Sequence, residues 1–369
     1  MFSSRKTALT FLFAGVIGVV AIAVSAAAPN QEKTPLSSDM AHPERPAAQA
    51  LLGQTASAPV RLNLDAYQDD SGIIATFKGS KVSDPYFGVY PLILAGRAGL
   101  DISTNAQRFI AWGLAHQRAD GRFSQFCKEG SEWKVCRNPD SDDATLARWV
   151  ELLYRVADGR ALPDAWEKSA QKAEQALMYL RMHSGVYSVF PEGTPGYAGY
   201  ALFTDNIEVL AAQEALSLLL ARRNDAVAST KWAGRAALLR SAIVKQFGAG
   251  PVFKRLALPA DYTEVKFYPQ VVAMPIAFAE GFITQPPQEL WTKWLLENKA
   301  AWKANAAVDY PWGLLAVASI QAGDLDTAAC WLQEYQKYQR TGEHWSVLEE
   351  SAAQIVAAKT TGVTCTAGF

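Results

Sequence analysis

Six helix-length runs of this sequence are apolar on nearly every side. A helix that is apolar all round has to be buried all round, because it has no polar face to turn toward water. The runs therefore predict a core built from whole helices. They span residues 86–98, 144–156, 207–221, 271–282, 312–322 and 347–358.

Amphipathic segments separate these apolar runs. In residues 166–180, apolar side chains recur at steps of three and four, and charged side chains occupy the other face. The other such segments are residues 105–116, 230–246, 288–302 and 325–338. This alternation predicts an all-α (α/α)6 toroid, in which inner helices line the centre and outer helices surround them.

Two parts of this prediction are weakly marked in the sequence. The outer partner of the first inner helix has no clear amphipathic segment. Strand signals are few, and they predict short extended pieces at residues 73–77 and 186–200.

The N-terminus has the pattern of an export segment. Arg5 and Lys6 precede an uncharged stretch, residues 7–24, and small residues follow at 25–28. We expect residues 1–28 to be a signal peptide or an uncleaved membrane anchor, because the apolar run approaches the roughly 20 residues of a spanning helix. Residues 29–60, rich in Ala, Pro, Ser and Gln, predict a flexible linker, and residues 61–369 the catalytic domain.

Four cysteines accompany this export signal. Cys127 and Cys136 enclose a short polar loop that a disulfide can close, and Cys330 and Cys365 remain as the second pair. Disulfides or free buried thiols are favoured over zinc, because no CxxC spacing occurs. We expect no metal and no cofactor.

Charge excludes one class of partner. Charged residues make up 19% of the chain and the formal net charge is −1. No basic surface is available to neutralise a phosphate backbone, so nucleic acid is not an expected partner.

A patch of polar and aromatic residues lies at the start of every inner run. The patches contain Asp84, Tyr86 and Phe87; Asp140, Ser141, Asp142 and Asp143; Thr204, Asp205, Asn206 and Glu208; Glu264, Lys266, Phe267 and Tyr268; Asp309, Tyr310, Pro311 and Trp312; and Glu343, His344 and Trp345. If the inner helices run parallel, all six patches meet at one end of the toroid.

Helix capping accounts for some of these acids. Asp and Ser are favoured N-caps, and a carboxylate in the first turn gains about 0.3 to 1 kcal/mol from the helix dipole. One helix needs only one cap, and Asp140 or Ser141 suffices for the second inner helix and Thr204 for the third. The remaining acids, and the Tyr and Trp residues beside them, need another explanation.

Carboxylates and aromatic rings in one pit are typical of a sugar site, because sugar rings stack on aromatic faces and their hydroxyls bind carboxylates. Glycoside hydrolysis needs one protonated and one ionised carboxyl. We expect Asp142 or Asp143 to be the base and Asp84 the acid, with Glu264 as the second candidate acid. Substrate contacts are predicted for Tyr86, Asp140, Asp205, Glu208, Tyr268, Asp309, Tyr310, Trp312, His344 and Trp345.

Two of these patches resemble those of family 8 glycoside hydrolases, which include cellulases of bacterial exopolysaccharide systems. Asp84 precedes Tyr86, Phe87 and Gly88, and residues 140–144 read Asp-Ser-Asp-Asp-Ala. The resemblance implies an (α/α)6 fold, a general acid at Asp84 and a site aspartate in the second patch. The sequence differs in having an aspartate four residues before the glycine, where the family has a glutamate five residues before it.

Two other functions fit the same pit. A polysaccharide lyase would use Tyr268 or His344 as the base and Asn206 or Arg148 to neutralise a uronate. The excess of acids at the mouth opposes that interpretation. A non-catalytic polysaccharide-binding protein of an envelope secretion system is the third hypothesis. For all three, the sequence predicts a periplasmic protein or one anchored in the inner membrane and facing the periplasm.

Overall fold

A computed structural model describes residues 59–366 and 368, apart from 195–199, 251–252, 260–265 and 284–286. The leader and all but the last two residues of the linker lie outside the described residues, so they stay predictions. The helices are α1 (Pro85–Arg97), α2 (Ser103–His116), α3 (Asp143–Ala157), α4 (Asp164–Tyr179), α5 (Phe203–Arg222), α6 (Ala226–Phe247), α7 (Ala273–Ala279), α8 (Pro287–Ala306), α9 (Gly313–Gln321), α10 (Leu325–Thr341) and α11 (Val347–Lys359).

The odd-numbered helices form a closed inner ring. Each packs against the next odd-numbered helix along the chain, and α11 returns to pack against α1. These six helices correspond to the six apolar runs, and α7 is the shortest because a π-turn (Phe267–Val271) replaces its start. The predicted (α/α)6 toroid is therefore confirmed.

The even-numbered helices form the outer layer. α4, α6 and α10 pack on α3, α5 and α9, and α2 packs against α1 and α3. In the described part of the chain, the outer position between α11 and α1 holds no helix, which agrees with the weak sequence signal there. Residues 59–81 cover this position instead: Asn63 exchanges hydrogen bonds with Gln354 of α11, and Gln68 exchanges them with Asn105 of α2.

The strands are short and lie in connections between helices. β1 (Val82–Ser83), β2 (Gln125–Glu129) and β3 (Glu132–Arg137) form an antiparallel sheet, and β4 (Ala201–Leu202) pairs with β5 (Ala257–Leu258). The hairpin of β2 and β3 corrects the prediction of a plain loop between Cys127 and Cys136. Gly130, with φ 64°, permits the tight turn that pairs the two strands. In the extended pieces predicted at residues 73–77 and 186–200, the described residues form single bridges, such as Gln68 with Ile74 and Arg181 with Tyr187, and residues 195–199 lie outside the described residues.

Both predicted disulfides are present. Cys127 bonds to Cys136 across the hairpin, with 5.7 Å between the Cα atoms, and Cys330 of α10 bonds to Cys365 near the C-terminus, with 4.7 Å between the Cα atoms. Two disulfides are typical of proteins that fold outside the cytoplasm. Among the described residues, no helix is both long enough and apolar enough to cross a membrane.

The packing between inner and outer helices predicts the effect of one small substitution. A Cβ atom added at Gly113 of α2 would lie 2.3 Å from a ring carbon of Trp149 in α3, so Gly113→Ala requires the buried indole to move. We expect this change to lower the free energy of unfolding by about 1 to 3 kcal/mol, measured by chemical denaturation.

Gly234 of α6 is the matched control, because a Cβ atom there meets nothing within 4 Å. Gly234→Ala should leave the unfolding midpoint unchanged or raise it, since alanine favours the helix by roughly 0.5 to 1 kcal/mol. Equal midpoints for the two variants would contradict the close packing of α2 on α3.

Candidate active site

The N-terminal ends of the inner helices meet at one end of the toroid. Asp84, before α1, accepts a hydrogen bond of 2.9 Å from the backbone N–H of Asp140, before α3. The Tyr86 hydroxyl of α1 donates to Glu208 Oε1 of α5 at 3.0 Å. We call the site formed by Asp84, Asp140, Asp143, Asp205 and Glu208 the carboxylate cleft.

The other half of the ring closes around the same cleft. The Tyr268 hydroxyl lies 3.1 Å from Thr204 Oγ1 at the start of α5. Burial raises the pKa of Tyr310, and the charges of Asp309, Glu349 and Asp140 raise it further. Segments from all six inner helices thus surround one space.

Aromatic side chains form one side of this space. Tyr268 is 39% exposed and stacks on Trp312, with 5.7 Å between the ring centroids. Tyr310 contacts Trp312 edge to face at 6.4 Å and stacks on Phe77 at 6.1 Å. We call these four residues the aromatic wall.

Two residues at this end have an unfavourable backbone conformation. Trp312 has φ 54° and His344 has φ 53°, which is the left-handed region that residues other than glycine rarely adopt. Trp312 is the residue before α9, and His344 lies three residues before α11. Backbone strain of this kind is concentrated at functional sites, where the surrounding structure maintains it.

Capping explains only part of the acid content. Asp84 caps α1 by accepting from the Tyr86 N–H, and Ser346 caps α11. In contrast, the residues before α3 and α5, Asp142 and Leu202, make no side-chain cap hydrogen bond. The acids of the second and third patches therefore do not act as N-caps, although Asp143 accepts a hydrogen bond from the Ala144 N–H in the first turn of α3.

Exposure distinguishes the carboxylates of the cleft. Asp140 is exposed, and no described residue donates a hydrogen bond to its side chain, whereas Asp84, Asp143, Asp205 and Glu208 are buried. The residue as a whole is exposed, but partial burial of its carboxyl raises the pKa of Asp140. Asp140 is thus the carboxylate that a ligand in the cleft would meet first.

Burial of like charges shifts the proton affinities of the other acids. Burial and the neighbouring Asp140 raise the pKa of Asp84 to about 7, against hydrogen bonds from Tyr86, Asp140 and Gln125. Burial raises the pKa of Glu208 to about 8; Arg148 opposes this shift and Asp205 adds to it. Carboxyls that hold a proton near neutral pH are those that can act as general acids.

Among the other predicted residues, Asp142 has a different partner from the one that the sequence predicted. Asp142 faces Arg122, with Nη1 to Oδ2 at 3.2 Å, rather than Asp84, and burial raises its pKa to about 6. Glu264 lies outside the described residues. Half-buried His344 lowers the pKa of Asp309, which burial raises, so these two residues are neighbours at the rim.

Trp345 does not reach the cleft. Its side chain is 0% exposed, stacks on Trp331 of α10 at 5.8 Å and donates to Glu350 of α11. The indole fills the space between α10 and α11, so the sequence prediction of sugar stacking at Trp345 is corrected. A place directly before an inner helix did not predict the direction of this side chain, because Trp345 faces the outer layer.

Sequence reasoning missed two buried acids. Glu349, in the first turn of α11, accepts hydrogen bonds from Ser346 Oγ and the Gly313 N–H, and burial raises its pKa to about 7. The spacing Ser346-x-x-Glu349 is a capping box, which is the signal that marks this residue. Glu280 follows α7, so it lies at the end of the ring opposite to the six polar and aromatic patches. Within the described residues, no group of His, Cys, Asp and Glu side chains is placed to hold a metal ion.

The sequence matches no known family model and no curated protein. Solved structures are similar in fold. An α-amylase from Clostridium perfringens has a TM-score of 0.52 and 13% identity, covering 81% of this chain and 95% of that chain. A rhamnosidase from Klebsiella oxytoca, with rhamnose bound, has a TM-score of 0.53 and 12% identity, covering 79% of this chain and 60% of that chain.

A family 8 endoglucanase from Klebsiella pneumoniae has a TM-score of 0.43 and 16% identity, covering 80% of this chain and 96% of that chain. That score is too low to support membership of family 8, so the family 8 resemblance stays a prediction. At the level of fold, the chain has the all-α toroid found in these glycosidases.

The buried position of Asp143 predicts how stability depends on pH. Burial raises the pKa of Asp143 to about 8, and no described residue donates a hydrogen bond to its Oδ2 atom. The unfolded carboxyl has a pKa of about 3.9. The folded state therefore binds the proton more tightly, and this contribution to stability is lost as pH rises from about 4 to about 8.

Asp143→Asn removes the titration and keeps the shape. We expect its stability relative to the unchanged protein to be higher at about pH 9 than at about pH 5, measured by urea unfolding at both values. Glu151→Gln is the control: Glu151 is equally buried, but Arg97 and Arg155 outweigh burial and lower its pKa, so its loss should destabilise at both values. A larger benefit of Asp143→Asn at about pH 5 would contradict the raised pKa.

Proposed function

We propose that this protein is an exported glycoside hydrolase that cleaves an uncharged polysaccharide. One observation carries the proposal: an exposed carboxylate, Asp140, lies among buried carboxyls whose pKa values are near neutrality, beside an aromatic wall with an exposed Tyr268. A protonated acid, an ionised base and a stacking surface are what hydrolysis of a glycosidic bond requires.

The roles of the carboxylates follow from their surroundings. Glu208 is proposed as the general acid, because its pKa of about 8 keeps it protonated at neutral pH and its contacts to Tyr86 and Arg148 fix its orientation. Asp140 is proposed as the base or nucleophile, since it is open to solvent. The sequence favoured Asp84 as the acid, and it remains the second candidate.

Asp84 has a supporting role in this arrangement. Its two oxygens accept from the Tyr86 N–H, from Gln125 Nε2 and from the Asp140 N–H. Three donors favour the ionised form of a carboxyl and occupy the lone pairs that a substrate would need. We therefore propose that Asp84 positions Asp140.

The remaining predicted residues are assigned to substrate binding. The aromatic wall offers Tyr268, Tyr310 and Trp312 to the faces of sugar rings. Asp205, Asp309 and Tyr86 supply polar groups for hydroxyls, and His344 lies at the rim next to Asp309. Asp142 holds Arg122 and is assigned to the support of the loop before α3.

The charge of the cleft favours a neutral substrate over a uronate. Asn206 and Arg148, which a lyase would use to neutralise the uronate, are both fully buried. The Asn206 side chain is fully used in hydrogen bonds to the backbone of Tyr187 and Leu202. A lyase is therefore less well supported than a hydrolase.

Export is supported by the two disulfides and by the pattern of residues 1–28. We propose that the toroid acts in the periplasm, free or tethered through the N-terminal segment. A β-glucan or a bacterial exopolysaccharide is the proposed substrate class.

The direct test is release of reducing ends from a panel of β-glucans, uronate polymers and bacterial exopolysaccharides. We expect activity on an uncharged polymer and a loss of roughly 10²- to 10⁴-fold in kcat for Glu208→Gln and for Asp140→Asn, with sugar binding retained. Asp158→Asn is the control, because Asp158 is exposed at the other end of α3 and has a left-handed backbone that Asn tolerates.

The other hypotheses have different outcomes. An unsaturated product that absorbs ultraviolet light would establish a lyase. Tight sugar binding without cleavage of any polymer would establish a binding protein, and unchanged turnover in both carboxamide variants would overturn the assigned roles.

The aromatic wall generates a separate prediction. Tyr268→Ala should raise the KM or Kd for an oligosaccharide by roughly two- to tenfold, because a stacked ring contributes about 0.5 to 1.5 kcal/mol. Tyr179→Ala is the control, since Tyr179 is 89% exposed at the end of the outer helix α4. An equal effect of the two substitutions would remove Tyr268 from the binding surface.

A further inference from the structure

A buried chain of alternating charges leads from the carboxylate cleft into the centre of the inner ring. Arg148 Nε donates to Glu208 Oε2 at 3.3 Å, and Arg148 Nη2 donates to Glu280 Oε1 at 2.7 Å. Arg97 forms an ion pair with Glu280 at 2.7 Å and another with Glu151 at 2.5 Å. Arg155 lies 2.7 Å from Glu151 and ends the chain. We call these six residues the axial network.

The two ends of the axial network have different surroundings. Glu208 lies in the first turns of α5, at the cleft. Arg97, Glu280 and Arg155 lie at the C-terminal ends of α1, α7 and α3, on the opposite side of the ring. The network has three acids and three arginines, so its charges balance only when Glu208 is ionised.

Arg148 is shared unequally between its two acids. Burial would raise the pKa of Glu280, but Arg148 and Arg97 outweigh burial and lower it to about 2. Glu208, with the longer contact to Arg148, has a pKa that burial raises to about 8. The guanidinium also lies 3.5 Å from the centroid of the Tyr90 ring, and Tyr90 donates a hydrogen bond of 2.7 Å to Glu280. Both contacts hold Arg148 on the Glu280 side.

The groups that face Glu208 come from its own helix and from four elements packed around it. They are Tyr86 and Tyr90 of α1, Asp143 and Arg148 of α3, Asp205 of α5, Tyr268 of the π-turn and Glu280 at the end of α7. Arg148 is the cation in direct contact with Glu208. The strength of the electrostatic interaction between Arg148 and Glu208 therefore decides whether the Glu208 carboxyl ionises.

We propose that Glu280 is a positioning residue that competes with Glu208 for Arg148 and thereby keeps the proton on Glu208 at neutral pH. The Glu280 side chain is fully buried and makes no contact with the cleft, so it acts on Glu208 through Arg148 and through the repulsion between the two carboxylates. The inference rests on the proposed function, in which Glu208 is the general acid.

Two variants move the proton affinity of Glu208 in opposite directions. Glu280→Gln releases Arg148 to Glu208, so the pKa of Glu208 should fall, by roughly one to three units. Arg97→Met leaves Glu280 with Arg148 as its cation, so Arg148 is drawn further from Glu208 and the pKa of Glu208 should rise.

Glu151→Gln is the matched control for both variants. Glu151 is as buried as Glu280 and also joins two arginines, but it contacts neither Arg148 nor Glu208. Because Glu151 is one contact further from Glu208, we expect a loss of folding stability with a smaller change at Glu208 than in Glu280→Gln.

The experiment is a carbon-13 NMR titration of the full chain labelled at glutamate carboxyls, with the Glu208 signal assigned by its absence in Glu208→Gln. The pH profile of kcat on the active polymer provides the second readout. Its basic limb should move down in Glu280→Gln, up in Arg97→Met and by the smallest amount in Glu151→Gln.

The inference is overturned if the Glu208 titration is unchanged in both variants, if it moves the same way in both, or if Glu151→Gln shifts it as far as Glu280→Gln. If Glu280→Gln fails to fold, the direction of the shift in Arg97→Met decides. A second outcome separates the two proposals. If the protein cleaves no polymer, but the pKa of Glu208 falls in Glu280→Gln and rises in Arg97→Met, the proposed function is overturned and the role of Glu280 is supported.

Discussion

The structure depends on the burial of six helices that have no polar face. Such helices are stable only inside a second layer, and the alternating amphipathic helices supply it. A closed ring of inner helices, each separated from the next by an outer helix, runs in one direction. All six N-termini then meet, and the polar residues of six distant segments surround one cleft.

The centre of this ring contains ions as well as apolar side chains. Arg148 is fully buried between Glu208, Glu280 and the Tyr90 ring. Removing one partner of a buried ion pair costs about 3 to 5 kcal/mol, whereas replacing the whole group by apolar residues is often neutral. Stability therefore does not explain why the axial network consists of charged residues. Control of the proton on Glu208 explains it. The same low-dielectric surroundings raise the pKa values of Asp84, Asp143 and Glu349.

Helix periodicity predicted most of the fold, because burial repeats along a helix at a spacing that the sequence displays. The hairpin of β2 and β3 was missed because its residues are mostly exposed and carry little apolar pattern. Which acids share the cleft was predictable from their place before an inner helix. Which of Asp140, Asp142 and Asp143 is exposed in the cleft was not predictable, because α3 begins at Asp143 and the path of the preceding loop sets the direction of each side chain. Glu280 escaped notice because it follows its helix.

The most direct test of the sugar site is a crystal structure of the Glu208→Gln variant with an oligosaccharide of the polymer that the unchanged protein cleaves. We expect the sugar chain to cross the carboxylate cleft, with one ring on Tyr268, a glycosidic oxygen in hydrogen-bond contact with the side chain at position 208, and Asp140 close to the anomeric carbon. A sugar bound at the opposite end of the ring, or on the outer helices, would contradict the assignment of this cleft as the active site.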